Sequence, residues 1–594
     1  MTFFESHNII SSLGFTSQEN FETIKAGKTG IRQSSPALSP ERSAVSLVDS
    51  EKLETCFSAI CSKPRNYTRY EKLLICSISD AIENSRINIE EPETLLIIST
   101  TKGNVNLREK QYADQYEDDR LQLWKSTDLV ADFFKHTGKK LTVSNACTSG
   151  SLALIIAQRL INAGKYKQAV VAGADILSEF TLSGFQAFKA VSPEACKPFD
   201  QDRQGMTPGE GAATLILTSD SEKIKGEKIQ LSGGASSNDA NHISGPSRTG
   251  EELSWTVKQA ISESGINADE IDYISAHGTA TPYNDEMEAK ALYIAGLSHV
   301  PLNSFKGNIG HTFGASGIAE SILTAESMKQ NYLLPSYGFE NTGTSKQVKI
   351  IQKAQKAKLT HALKTASGFG GSNAALVLSK SFKEKEKPTN KPLTVSQSTI
   401  IDNFQVSVIN RKNEAFDFFD SSENTEDIEL GFKQFSKSLY KELNCKYPKF
   451  YKMDKLCKLA FLGSELLLKN ADLSPYKPED IAIVLSNGNA SSETDSEYQK
   501  TIDDRENYFP SPKIFVYTLA NIMAGEIAIR NGFKGENTVF IEERFNKEFL
   551  FDYCKLLLNT GKAKAIIAGR INYDSQNSVR YVELYLCETS ETLQ

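Results

Sequence analysis

The sequence predicts an α/β protein with largely parallel central strands, and three observations carry that reading. Short apolar runs alternate with helix-length stretches over the first 380 residues, a charged segment with prolines interrupts them, and part of the pattern then returns. The strand candidates are ETLLIIST (93–100), KLTVS (140–144), QAVVAGAD (168–175), GAATLILTS (211–219), IDYISAH (271–277) and AALVLS (374–379). Each is short, apolar and partly β-branched. Helical stretches such as TSGSLALIIAQRLINAG and EELSWTVKQAISESG lie between them.

The interruption is SKSFKEKEKPTNKPLTVSQ (379–397), whose alternating charges, two prolines and scarcity of large apolar side chains suit an exposed linker. Beyond it the chain repeats its own beginning. YTRYEKLLICSISDAIEN (67–84) resembles YKMDKLCKLAFLGSELLLKN (451–470), and EEPETLLIIST resembles YKPEDIAIVLSNG. The frame around Cys147 returns in TVFIEERFNKEFLFDYCKLLLNTGKAKAIIAGR, and GEGAATLILTSD returns as SVRYVELYLCET. The duplication covers about the first 220 residues and nothing after them.

At 594 residues the chain exceeds one ordinary core, and length alone suggests roughly three or four domain-sized units. A content of 39% hydrophobic and 24% charged residues is that of a globular protein, and a net charge of -7 argues against wholesale nucleic-acid binding. No apolar run approaches the ~18 residues of a membrane span. The start, MTFFESHNIISSLGF, lacks a basic region ahead of its apolar residues, so the expectation is a cytoplasmic protein. Nine cysteines and seven histidines are scattered without metal-ligand or paired spacing, so neither a metal site nor a disulfide framework is expected.

One cysteine stands apart. In KLTVSNACTSGSLALIIAQRLINAG, Cys147 falls where a strand gives way to a helix, and a helix N-terminus favours the thiolate. A small apolar core residue is the competing reading. Two histidines sit in similar settings: His277 in SAHGTATP after a strand, and His311 in SFKGNIGHTFGASGIAE ahead of a helix, five residues beyond Lys306. TASGFGGSNAALVLS (365–379) adds a glycine turn whose amides can approach an oxyanion, although a tight loop explains it equally well.

Taken together, NACTSG, AHGTATP, KGNIGHTFGASG and GFGGSN, with KPFDQDRQGMTPGEGAA (197–213), resemble the elongating β-ketoacyl-[acyl carrier protein] synthases over residues 1 to about 380. The resemblance implies a thiolase-like αβαβα sandwich of two similar halves, 1–220 with the nucleophile and 221–380 with both histidines. A linker at 381–397 and an additional half-unit of the same type at 398–594 would follow. It implies that Cys147 carries an acyl group, that His277 and His311 assist decarboxylation of a malonyl thioester, and that Lys306, with Glu320, organises the site in a catalytic or structural role. Amides of Cys147 and Phe369 would form the oxyanion hole, with Phe369 also a gate. Thr279, Thr281, Gly370 and Gly371 would contact the substrate's arm, while Asp285 and Glu288 would hold loops. No bound cofactor is implied, since phosphopantetheine arrives on the acyl carrier protein. The family opens with a full apolar strand, whereas MTFFESHNIISSLG is short and more polar, which leaves the register of the first strand open.

In the echo, Glu543 falls opposite Cys147, or Arg544 with a shifted gap, and neither can carry an acyl group. Cys554 lies too deep in the following helix to substitute, and the repeat has no counterpart of His277 or His311. It therefore resembles a truncated chain-length factor, expected either to dock on the catalytic unit in cis, as an intramolecular pseudo-dimer, or to pair within a homodimer. Aryl polyene, flexirubin-type or other polyketide-like elongation is the first pathway expectation, with general fatty-acid elongation the alternative. A non-catalytic scaffold is a third reading, against which the intact Cys147, His277 and His311 argue. A thiolase is disfavoured because Cys196, the only nearby second cysteine, lies in a different motif.

Overall fold

The computed structural model describes all residues except 37, 64–65, 113–114, 383–389, 410–414, 421–427 and 590–594. Among the described residues the principal strands fall into three sets of five, each with the same order and the same sense of pairing.

The first set is β1 (Phe3–Ile10), β2 (Thr94–Ser99), β3 (Lys140–Val143), β4 (Gln168–Asp175) and β5 (Gly211–Thr218). Its order is β3-β2-β4-β5-β1, with β2 parallel to β3 and β4, and β5 antiparallel to β4 and β1. The second set, β6 (Gln230–Asn238), β7 (Tyr273–Ser275), β8 (Pro301–Asn303), β9 (His361–Gly368) and β10 (Ser372–Ser379), runs β8-β7-β9-β10-β6. The third, β11 (Leu393–Asp402), β12 (Ile481–Asn487), β13 (Asn537–Ile541), β14 (Ala565–Asp574) and β15 (Val579–Thr589), runs β13-β12-β14-β15-β11. The repeat read from the sequence is thus a repeat of topology.

Helices complete the layers. Helix α1 (Arg69–Glu83) covers the outside of the first sheet and starts at a capping box between Thr68 and Glu71. Helix α2 (Ser149–Asn162) fills the centre, and every residue from Ser149 to Ile161 is buried. Helix α3 (Glu251–Ser264) covers the outside of the second sheet, and α4 (Ser316–Gln330) packs on α2. This is an αβαβα sandwich. Glycines set the central spacing: a Cβ on Gly150 would lie 2.7 Å from the Gly314 carbonyl oxygen, and one on Gly317 would lie 2.3 Å from the Ser151 nitrogen. Burying Leu152, Leu154, Ile155, Ile156 and Leu160 stabilises this layer by about 1.5–3 kcal/mol each. In the third unit, α5 (Lys455–Leu468) and α6 (Lys547–Asn559) take the places of α1 and α2.

One expectation needs correction, and the first strand, left open by the sequence, is seen in full. Strand β1 is eight residues long, because its polar side chains find partners: Ser6 Oγ donates to the Ala81 carbonyl, Asn8 Nδ2 donates to the Phe15 carbonyl, and His7 lies between Ser17 and Glu326. The linker does not extend to 397. Strand β11 begins at Leu393 and pairs along β15, because LTVSQSTIID supplies enough β-branched residues to complete the third sheet; residues 383–389 of the linker lie outside the described ones.

The third unit packs on the first half, and the equivalent edge strands β3 and β13 meet antiparallel at Val143 and Phe540. Asn145 seals the seam, accepting from the Val539 amide at 2.9 Å and donating to the Asn537 carbonyl at 2.7 Å. Two buried ion pairs cross it, Arg159–Glu536 at 2.7 Å and Lys102–Asp495 at 2.6 Å.

Candidate active site

Cys147 stands two residues ahead of α2, at the end of a tight turn in which Ala146 takes a left-handed φ of 49°. The helix N-terminus alone would lower the thiol pKa. Burial overrides it and pushes the thiol up to about 12, with Lys306 opposing the rise and the Asp175 carboxylate adding to it. At neutral pH that favours the neutral thiol.

Cys147 borders a narrow cleft with room for little more than a water molecule. Ala146, Phe185, Phe313 and Phe369 line it from the first two units, and Phe515 and Leu519 close it from the third unit. Gly368 brings the end of β9 against the nucleophile, since a Cβ there would lie 3.1 Å from the Cys147 amide nitrogen. The main chain one residue before Phe369 therefore packs against that of Cys147. Positive φ values of 83° at Gly370 and 75° at Gly371 turn the chain from β9 into β10. The Phe369 carbonyl accepts from Asn521 Nδ2 of the third unit at 2.8 Å.

Both histidines come to this place, their rings 5.3 Å apart and nearly perpendicular. The Phe313 amide donates to His311 Nδ1 at 3.1 Å, which puts the ring proton on Nε2. That Nε2 is buried and meets no acceptor among the described residues. The Lys306 ammonium, a donor only, lies 3.3 Å from His277 Nδ1 and so sets the same tautomer there. Burial, first, and then Lys306 hold both imidazoles well below their usual pKa. The site therefore presents two neutral rings, each with its proton on Nε2.

Lys306 also donates to the His277 carbonyl at 2.6 Å and pairs with Glu320 at 2.6 Å, both groups fully buried. Glu288 accepts from the His277 and Gly278 amides, each at 2.8 Å, and Asp285 accepts from those of Phe199 and Thr279. The Thr279 and Thr281 hydroxyls pair at 2.9 Å on the same loop. The sequence reading missed two groups. Asp175 ends β4 and accepts from the Thr101, Lys102 and Gly314 amides, pinning the histidine loop to the first half. Lys364, in the buried strand β9, pairs with the second oxygen of Glu320 at 2.6 Å. A lysine inside the apolar run HALKTASG was the visible signal. Glu543 and Arg544, by contrast, are exposed, and the echo brings no histidine to them.

A half-buried cysteine at a helix start, two imidazole donors and a glycine turn packed against the cysteine amide make a site suited to thioester acyl transfer. Family comparison places the chain more closely. Sequence models of the β-ketoacyl synthase N-terminal and C-terminal domains match residues 11–223 and 229–340. The chain belongs to the β-ketoacyl synthase family, and its first two units have the thiolase-like fold of that family. It is 35% identical over 259 residues to 3-oxoacyl-[acyl-carrier-protein] synthase 2 of Rhizobium meliloti (strain 1021), covering 41% of this chain and 61% of that protein. It is 31% identical over 248 residues to the synthase 2 of Staphylococcus aureus (strain COL), covering 40% and 60%. The matches thus span about three fifths of these relatives.

Among solved structures, the PfaC keto synthase-chain length factor superposes on 100% of this chain and 79% of its own, with a TM-score of 0.76 at 12% identity. The ketosynthase ApeO in complex with its chain length factor ApeC, from Xenorhabdus doucetiae, matches 64% of this chain and 97% of its own, with a TM-score of 0.56 at 25% identity. Among the described residues no helix is long and apolar enough to cross a membrane, and no cluster of His, Cys, Asp and Glu is suited to a metal.

Proposed function

We propose that the chain is a β-ketoacyl-[acyl carrier protein] synthase that condenses a malonyl-carrier thioester with an acyl group held on Cys147, releasing CO2. The observation that carries this reading is the pair of buried imidazoles 5.3 Å apart, each with its proton on Nε2, with His311 stacked 5.0 Å from Phe313, which lines the same cleft as Cys147.

The acyl group first moves from the carrier's pantetheine sulfur to Cys147 Sγ. One C–S bond breaks, one forms, and the thiol proton ends on the released pantetheine. Amides of Cys147 and Phe369 hold the tetrahedral oxyanion, where one lost donor costs about 10²–10³ in rate. Malonyl carrier then enters along the Thr279–Thr281 loop. The Nε2–H groups of His277 and His311 donate to its thioester oxygen, so charge released as CO2 leaves is held as an enolate. The Nδ1 contacts of both rings fix the tautomer that aims a proton from Nε2. The enolate carbon attacks the Cys147 thioester, and collapse expels Cys147, which regains a proton. Lys306 and Glu320 hold the His277 loop. The phosphopantetheine comes and goes with the acyl carrier protein as part of the substrate.

In this reading residues 393–589 act in cis as an inactive partner, making an intramolecular pseudo-dimer whose Phe515 and Leu519 bound the acyl chain. A cleft closed by a second, inactive unit favours specialised polyketide-like elongation, including aryl polyene or flexirubin-type chains. Likeness to the synthase 2 relatives favours fatty-acid elongation as the second reading. The deciding test is the mass profile of carrier-bound products from malonyl carrier with either a saturated or a conjugated aryl primer. Elongation of the conjugated primer alone supports the first pathway, equal or preferred use of the saturated primer supports the second, and no elongation of either defeats the synthase reading.

A further inference from the structure

Lys364 has no part in the chemistry above, yet it is among the most deeply buried cations in the chain. It projects from the centre of β9, five residues before Phe369. Its ammonium pairs with Glu320 Oε2 at 2.6 Å and donates to the Thr365 carbonyl. Glu320 Oε1 meanwhile pairs with Lys306, which touches His277. One carboxylate thus bridges two ammonium groups, and the chain Lys364–Glu320–Lys306–His277 runs from β9 to a reacting ring. Thr365, the next residue, donates to Glu288 Oε1 at 2.5 Å, and Glu288 in turn holds the His277 amide.

The charges around the imidazoles can be counted. Lys306 and Lys364 provide two positive charges, and Glu320 and Glu288 provide two negative ones. Asp175 faces the His311 loop through the Gly314 amide, while Cys147 is a neutral thiol. With Lys364 the cluster of two lysines and two glutamates balances. Without it, that cluster carries surplus negative charge beside two buried rings, which favours imidazolium. The fields of both lysines act on each histidine in the direction that keeps it neutral.

We propose that Lys364 is a positioning residue of the Cys147 site: paired with Glu320, it offsets the buried carboxylates so that His277 and His311 remain neutral Nε2–H donors under acid conditions. The proposal rests on the synthase reading and adds a function for a group outside the reacting atoms.

The test is the pH profile of malonyl-carrier decarboxylation by the full chain, wild type against Lys364→Met and Lys364→Arg. Protonation would put a proton on Nδ1, where His311 accepts from the Phe313 amide and His277 faces the Lys306 ammonium, so it would break the contacts that aim each Nε2–H, and activity should fall as pH drops through the histidine pKa. Losing a nearby positive charge raises that pKa, and the acid limb of K364M should move up by about one pH unit or more. K364R, which keeps the charge, should hold the wild-type limb. A folded K364M with an unmoved limb overturns the proposal. Should K364M fail to fold, wild-type protein with 13C-labelled histidine serves: neither His277 nor His311 should titrate near the ordinary value of about 6.5, and titration of either there overturns the proposal. Wild-type chain that decarboxylates nothing defeats the synthase reading instead, so the two failures are distinguishable.

Discussion

Val143 and Phe540 face each other across antiparallel strands, so the strand that leads to the nucleophile lies edge to edge with its own altered copy. The contact is isologous, as at a two-fold axis, although both partners belong to one chain.

The Arg159–Glu536 pair makes this seam testable. Both side chains are buried, and the Tyr553 hydroxyl donates to Glu536 Oε1 at 2.9 Å. Arg159→Met leaves a carboxylate without its cation inside the protein and should cost about 3–5 kcal/mol. Replacing both partners, Arg159→Met with Glu536→Leu, should recover most of that loss. Denaturant unfolding of the intact chain measures both. A single variant as stable as wild type would mean that the pair does not hold the units together.

The thiol gives a pH prediction. With a pKa pushed up to about 12, Cys147 carries little thiolate at neutral pH, and its alkylation in the substrate-free chain should keep accelerating as pH rises past 9. The measurement is the rate of iodoacetamide modification at Cys147 by peptide mass. A plateau below pH 8 would show that the helix N-terminus prevails over burial.

Phe515 should limit product length. Its ring fills the space beside Gly184, where a Cβ would lie 2.1 Å from it, and it packs on Phe185 at 5.2 Å. Phe515→Ala should cost about 3–5 kcal/mol of stability and lengthen the longest carrier-bound product by at least one two-carbon unit. Products of unchanged length from a folded variant would place the end of the acyl pocket elsewhere.

Much of this was legible in the sequence because the repeat is long and its strands are short and apolar. Cys147, His277 and His311 stood in glycine-bordered turns at strand ends, and the structure brings them together. Less visible was anything that depends on long-range neighbours. The thiol pKa follows from burial under rings of other elements, including Phe515 from the far end of the chain. Lys364 was visible as a misplaced charge, but only Glu320, 44 residues earlier in the sequence, explains it. Strand β1 looked too polar because the partners of Ser6 and His7 lie at Ala81 and Glu326.

Arg570 shows how the third unit does without the half it lacks. In the first half, Gly173 and Ser99 abut the histidine loop: Ser99 Oγ donates to the Gly314 carbonyl at 2.9 Å, and a Cβ on Gly173 would lie 2.9 Å from the same oxygen. The equivalent glycine is Gly569, and the next residue, Arg570, stands where the first half has Ala174. Its guanidinium donates to the Glu543 carbonyl at 2.8 Å and to the Glu542 carbonyl at 3.2 Å, so it ties down the loop that replaces the nucleophile turn. Arg570→Ala removes those donors and should destabilise the third unit by about 1.5–3 kcal/mol. Hydrogen exchange should then rise at residues 541–546 while protection around Cys147 stays at the wild-type level. Unchanged exchange in that loop would show that its carbonyls do not depend on the guanidinium.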